Sequence, residues 1–334
     1  CAAIEAAEAG ATVAVFEKLG VPGGNSIISG AGYAAPGTWA QRQQGVEDSP
    51  EVMAQDMLAG GDYEGDPELV KVVCEGAAPA IEWLVYKNHV EWGASNMYEG
   101  GHTVAREGGP NGRGEAIMTK LFARAEQLGV ALATDVKVDE LVRDDSGKVC
   151  GVRATDLLTG DEVEVGATAV VLAAGGFGYN LEMRTKYNPA YGEAYRCTNC
   201  VGATGDGIAM AEAAGAQLAD MAFIQVHPTC SPVDGEMLST GSIRGGGHAV
   251  LVNKEGKRFV EELERRDVVS QAIIDQTDSL GYFAFNMSDG YSRFNAPITL
   301  RNAGMVVEAD SLDEACAHFG IDADGLRETL AQWN

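Results

Sequence analysis

Apolar residues recur at helical spacing over residues 1–9 (CAAIEAAEA), and Gly10 stands where a left-handed cap would end that helix. The next run, 11–18 (ATVAVFEK), is short and apolar and closes on Glu17, the pattern of one strand ending on an acid. Ser49-Pro50-Glu51 and Asp66-Pro67-Glu68 each combine an N-cap, a first-turn proline and a first-turn acid. Residues 49–90 therefore read as helices, with Trp83, Val85 and Tyr86 as core. A glycine-rich loop over 99–114 precedes a helix at about 115–128. Its His102 and Arg106 read as solvated loop residues, with reach to a ligand as the alternative. From 130 to 172 the pattern shortens to strands, VALAT, VKVDELV, KVCGVRAT, DEVEVG and TAVVLAA, with Asp144-Asp145-Ser146-Gly147 as a hairpin turn. TAVVLAAGGFGYN (168–180) predicts a buried strand running into a glycine pair. Residues 199–221 place a glycine-rich turn at the start of a helix, with Asp206 near its first turn. GHAVLVNKEGKRFVEE reads as strand, turn and strand. YFAFNMSD and the final SLDEACAHFGIDADGLRETLAQWN read as a strand and two helices, with Ser311 and Glu314 as a capping box.

A chain of 334 residues can bury a sizeable core and accommodates two domains. Mixed helix and strand patterns, 46% hydrophobic residues and 43 glycines fit an α/β protein with many tight turns. No run of eighteen apolar residues occurs, so no transmembrane helix is expected. A net charge of −25 argues against nucleic acid or an anionic membrane as partner, and an anionic substrate would have to be drawn in by local Arg and His. Seven scattered cysteines do not suggest a disulfide framework. Cys197 and Cys200 form a lone CxxC without two further ligands at suitable spacing, so they read as small buried loop residues and no metal is expected. The chain opens at Cys1 inside a helical pattern with no Met and reads as a fragment, which leaves its location open between a bacterial cytoplasm and cell envelope.

Three stretches carry candidate chemistry. Helix, glycine, strand and terminal acid form the second half of a dinucleotide-binding βαβ unit, in which the acid bonds the ribose hydroxyls. The strand and GxGxxG of its first half are expected before Cys1. Glu17 as a plain solvated strand-end charge is the alternative. The stretch 21–38 (VPGGNSIISGAGYAAPGT) reads as a loop whose small residues let a ligand approach the backbone, or as a simple surface loop. Residues 225–270 gather His227 in HPT, Thr240, Arg244 before three glycines, and Arg265-Arg266 before an Asp. The planar fork of Arg suits carboxylate binding. Arg265 reads as a solvated surface charge.

AAIEAAEAGATVAVFEK followed by GGNSIISGAG, with AAGGFG, ATGDGIAMAEAAGA, HPT, RGGG and RRD further on, resembles the FAD-dependent fumarate reductase/succinate dehydrogenase flavoprotein family, nearest its soluble flavocytochrome-type members. The resemblance implies a Rossmann-like FAD-binding domain over 1–221 and an inserted α+β substrate-capping domain over 222–334. It places Glu17 and Lys18 at the ribose, and Gly23, Gly24, Asn25, Ser26, Ser29, Gly30 and Gly32 along the pyrophosphate and flavin. Val138 would meet the adenine through its backbone, Ala173, Gly175 and Gly176 would lie against the dinucleotide, and Thr204, Gly205 and Asp206 would contact FAD. His227 and Thr240 would hold one substrate carboxylate, Arg244 would orient the substrate, and Arg266 would protonate the α-carbon after hydride reaches the β-carbon from flavin N5. A second His and Arg and a final FAD-binding segment are expected beyond Asn334. The implied activity is reduction of an activated C=C bond in a small anionic or enone substrate. Electrons would come from an external donor, a heme-, FMN- or quinol-linked domain or protein. One departure stands out. Family reductases usually carry a Glu three residues before the Arg of RGxG, and this chain has Gly241. That removes a proton relay and enlarges the pocket, favouring a bulkier enoate or an enone. The alternatives are a flavin dehydrogenase of the 3-oxosteroid or succinate type, and a non-catalytic flavin electron-transfer subunit.

Overall fold

The structure, a computed structural model, describes residues 1–93, 98, 100–231, 249–285 and 298–333. Thr240, Gly241 and Arg244 lie outside the described residues. The chain divides into two compact units. One comprises Cys1–Ala31, Leu84–Glu91 and Pro110–Ile224; the other comprises Gly32–Trp83, Trp92–Gly109 and Gln225–Asn334. Among the described residues no helix is long and apolar enough to cross a membrane.

The first unit is α/β. Strand Ala14–Phe16 pairs in parallel with Ala131–Ala133, Ala14 opposite Ala131. Each strand is entered from a helix, Ala2–Glu8 and Gly114–Gln127, and the two helices pack together. Ile4 is buried on the first, and Arg124 of the second pairs with Glu8 at 2.7 Å. Gly10 is left-handed after the first helix, as its position suggests. A three-stranded antiparallel sheet follows, Val136–Arg143, Val149–Asp156 and Glu162–Gly166, with Val136–Arg143 at one edge. Asp144 closes its first hairpin by accepting from the backbone N–H of Ser146 and Lys148.

Three expectations for this unit need correction. Residues 168–177 form no strand, and Val171 is 70% exposed. β-branched residues favour extended backbone, but a strand also needs a neighbour for its N–H and C=O groups, and no described segment supplies one. The expected loop at 21–38 contains the short helix Gly24–Ile28. Gly114 lies flush on it: a Cβ on Gly114 would sit 1.8 Å from the Ser26 carbonyl, and Gly114 N–H donates to the Ser29 carbonyl at 3.0 Å. Tyr86 is 66% exposed rather than core, because Trp83–Lys87 forms a π-turn that rotates its side chains out of the α-helical phase of the preceding Pro67–Glu82 helix.

The second unit is α+β. Ser49 and Asp66 cap the helices Pro50–Gly60 and Pro67–Glu82, which pack on each other. Strand Ala249–Val252 is wholly buried and pairs antiparallel with Tyr282–Phe285. Its Val250 and Val252 pack with Cys316 and Leu326 of the helices Leu312–Phe319 and Ala323–Trp333. Ser311 caps the former through the Glu314 N–H. The strand–turn–strand expected over 247–262 is therefore a strand, a turn and one bridge, Val252 to Arg258. Arg258 is instead drawn to Glu261 and Glu262, and Glu262 also accepts from Leu251 N–H at 2.8 Å. Gly256 has φ 68°, and a Cβ there would lie 2.3 Å from Leu326 N, so the turn can approach the last helix only as glycine.

Two arginines also differ from expectation. Arg265 pairs with Asp62 and with Asp267, so it ties the start of helix Arg266–Ile274 to the end of helix Pro50–Gly60. Arg106 is 1% exposed rather than solvated. It donates a parallel pair of bonds to Asp48, at 2.9 and 3.0 Å, and another to Asp56. Thr103 completes the shell of Asp56, and Gln41 donates to Asp48 and to the Ala105 carbonyl. Burial opposes ionisation of Asp56, but the Thr103 and Arg106 bonds outweigh it and hold the carboxyl below the usual aspartate range. His102 beside this cluster is pushed below the usual histidine range by burial and then by the Arg106 charge.

Arg106→Ala would strand two buried carboxylates without a counter-charge. We expect it to lower stability by roughly 3–5 kcal/mol, read as a fall in the urea midpoint. A midpoint close to that of the wild type would refute the cluster's structural weight.

Candidate functional site

In the first unit the candidate cofactor residues collect at the carboxyl end of the parallel pair. Glu17 continues strand Ala14–Phe16, donating its N–H to the Ala133 carbonyl at 2.9 Å. Its Oε1 accepts from Leu19 N–H at 2.9 Å, which turns the chain after the acid. Lys18 donates to Thr204 and, at 2.7 Å, to Asp206, and Thr204 donates to the other Asp206 oxygen at 2.9 Å. This clasp joins the strand end to the first turn of helix Asp206–Ala213, whose cap is Gly205 with φ 81°. Asp206 is thus a first-turn residue rather than the cap. Burial opposes its ionisation; the Lys18 and Thr204 bonds override that and hold its carboxyl below the usual value.

Around the clasp the chain comes together as backbone. Gly205 N–H donates to the Gly176 carbonyl at 3.1 Å, and a Cβ on Gly207 would lie 2.9 Å from that of Ala174. Asn25 donates to Asn199 at 2.6 Å and accepts from Cys200 N–H at 2.6 Å, so the turn at 23–29 reaches the turn at 199–202. Ser29 donates to the Ser26 carbonyl. Cys197 and Cys200 are half-buried, Cys197 donating to the Gly178 carbonyl, and no described group of His, Cys, Asp or Glu could hold a metal ion. Gly24, Gly30, Gly175 and Gly176 face open space, with no atom within 4 Å of an added Cβ. Ala173 is exposed beside the pair. Val138 lies at a bulge in the edge strand, over which helix Asp206–Ala213 packs, and both line a concavity of about 730 Å³. A glycine surface without side chains, next to a strand-end acid and a helix start, fits a dinucleotide.

In the second unit the structure brings His227 and Arg266 to neighbouring segments. Arg266 is the first residue of helix Arg266–Ile274 and is exposed, and its Nη1 donates to Gln225 Oε1 at 2.7 Å. One turn on, Ser270 donates to the Val226 carbonyl. His227 Nδ1 accepts from Thr229 N–H at 3.2 Å. A backbone N–H can only donate, so this geometry selects the neutral ring with its proton on Nε2. Buried Thr229 holds the ring from the sequence position of the HPT motif itself.

Gly32 opens the second unit, under the side chain of Glu107. Glu107, Gln225 and Asn199 were not among the residues singled out from sequence. Gln225 had a weak local signal, two residues before His227 on extended chain. Glu107 and Asn199 had none, because contacts at long sequence separation place them.

The family described as FAD binding domain matches residues 1–334. A urocanate reductase of Eggerthella lenta is 47% identical, covering 100% of this chain and 56% of that relative. A fumarate reductase (cytochrome) of Shewanella frigidimarina is 37% identical, covering 100% of this chain and 58% of the relative. The open conformation of a flavocytochrome c3 fumarate reductase matches with a TM-score of 0.75 at 32% identity, covering 99% of this chain and 58% of the other. The chain thus spans a little over half the length of each.

The Lys18–Asp206 pair predicts a pH-dependent stability. Because the Asp206 carboxyl is held low in the folded state, its contribution is full above roughly pH 4 and is lost as pH falls through the folded value. Lys18→Met is expected to lose roughly 1–2 kcal/mol at neutral pH, a discounted value for a partly exposed pair. The gap from wild type should narrow below about pH 4. Thermal unfolding of both proteins across that range checks this, and a gap independent of pH would contradict it.

Proposed function

The chain belongs to the FAD binding domain family, and from that premise we propose that it works in an FAD-dependent reductase that saturates the activated C=C bond of an enoate. The relatives named above, a urocanate reductase and fumarate reductases, support this class of substrate. In this reading residues 1–221 form the FAD-binding domain and 222–334 the substrate-capping domain. Glu17 takes the adenosine ribose, and the glycines at 23, 24, 30, 175 and 176, with Asn25, Ser26, Ser29 and the Thr204–Asp206 turn, take the pyrophosphate and flavin. FAD, once bound and reduced, supplies the hydride for the substrate β-carbon.

The residues of this chain do the rest. His227 donates from Nε2 to a substrate carboxylate oxygen, which polarises the conjugated C=C and stabilises negative charge as it builds. Arg266 gives its proton to the α-carbon, leaving a C–C single bond. Its position at the start of a nine-residue helix adds backbone N–H groups that favour an anionic ligand there. Gln225 holds the guanidinium in place, and a group held in register at rest needs no reorganisation during the reaction. In this proposal Thr240 joins the same carboxylate grip and Arg244 orients the substrate. Electrons reach the flavin from an external heme-, FMN- or quinol-linked donor. The observation carrying the reading is that Gln225–Thr229 and the Arg266 helix are bonded side by side, so the proposed carboxylate donor and proton donor share one small region.

Arg266→Ala should lower kcat by roughly 10²–10⁴-fold, the usual worth of a positioned proton donor, with FAD content unchanged. The measurement is anaerobic reoxidation of reduced flavin by enoates in the full-length, FAD-loaded protein. Turnover within a few-fold of wild type would remove Arg266 from the mechanism.

A further inference from the structure

We propose that Glu107 reads the group carried on the substrate β-carbon, and that this group is a basic, N–H-donating ring such as an imidazole rather than a second carboxylate. The proposal rests on the enoate-reductase reading of the His227–Arg266 region.

Glu107 opens a two-residue strand paired with Tyr33–Ala34, Glu107 opposite Ala34. Its backbone cannot drift, because the preceding residue is the buried Arg106 locked to Asp48 and Asp56. Its carboxylate lies over Gly32. A Cβ at 32 would stand 2.0 Å from Glu107 Oε1, so a glycine there is what lets the carboxylate occupy the place. Glu107 is half-buried, and among the described residues its carboxylate has no hydrogen bond or ion pair. It lies near enough to Arg266 to feel that charge: burial raises its carboxyl and Arg266 pulls it back. Arg266 meanwhile donates to Gln225, not to Glu107.

A half-buried carboxylate without a donor is costly unless a ligand completes it. The charge beside the proton donor then decides which ligand. The second carboxylate of a dicarboxylic enoate would be repelled by Glu107. A ring N–H would make a charge-assisted bond, stronger still if the ring is protonated. Glu107 is a carboxylate that feels the Arg266 charge, in a chain that carries Gly241 where the family's reductases usually carry a Glu.

The test uses the full-length, FAD-loaded protein with three enoates: urocanate, cinnamate (a ring of similar size without N–H) and fumarate. Turnover is read from anaerobic flavin reoxidation, and binding from the shift of the oxidised flavin spectrum. The wild type should favour urocanate at least about tenfold over both others in kcat/KM. Glu107→Gln should lower kcat/KM for urocanate about 10- to 100-fold, mainly through KM. Cinnamate should stay within about threefold, and fumarate should be unchanged or improved. Glu107→Asp, which keeps the charge, should retain the order of preference and guards against a Gln variant that fails to load FAD. Equal loss on all three substrates would assign Glu107 to proton supply or folding and overturn the proposal, as would an unchanged urocanate-to-cinnamate ratio. If no enoate is reduced yet Glu107→Gln selectively weakens urocanate binding, the reductase reading fails while the recognition by Glu107 stands.

Discussion

A guanidinium cannot lose its charge at accessible pH, and removing it from water without compensation costs several kcal/mol. Arg106 is fully buried in the second unit, so the unit has to deliver carboxylates to it. Asp48 arrives from just before one helix, Asp56 from that helix's buried face, and Gln41 from the preceding short helix. One charge thereby fixes the relative placement of three segments and of the loop that carries it. The adjacent residue inherits that rigidity. Glu107 follows directly on the buried Arg106, which is locked to Asp48 and Asp56.

The first unit depends on a different constraint, the closeness with which glycine lets backbones meet. Gly114 on Ser26, Gly205 on Gly176 and Gly207 on Ala174 are contacts that a Cβ would prevent or distort. They bring three distant turns to the end of one parallel strand pair, and the Lys18–Thr204–Asp206 clasp closes the arrangement with charge. What remains outward is backbone with few side chains in the way. Such a surface suits a long, flat, phosphate-bearing cofactor better than a globular ligand.

In the proposed function the first unit offers the cofactor surface, and the second brings His227 and Arg266, proposed as carboxylate donor and proton donor, to neighbouring segments. In the second, the Thr229 N–H sets the tautomer of His227 within three residues, whereas Gln225 holds Arg266 across forty-one. Local turns set protonation, and tertiary contacts set position.

Local rules were enough where the deciding interaction is local. The caps at Ser49, Asp66 and Ser311, the hairpin at Asp144–Gly147, the helix at 2–8 and the strand ending on Glu17 follow from dihedral preference and from donors a few residues away. Resemblance to a known flavoprotein family, carried by short motifs, is what made Glu17, the glycine turns, His227 and Arg266 candidates. The rest depended on partners far along the chain. An Arg in a glycine-rich loop looks solvated until two aspartates fifty residues away bury it. The run at 168–174 has strand propensity but no partner among the described residues, and propensity cannot supply one. Glu107 carries no local mark at all; only the pairing of 107–108 with 33–34, the missing Cβ of Gly32 and the nearness of Arg266 give it a role. The sequence by itself determined the family and the elements whose deciding contacts are local. Tertiary structure alone decided which charges are buried and which are satisfied, because burial and neutralisation belong to pairs of residues that only folding brings together.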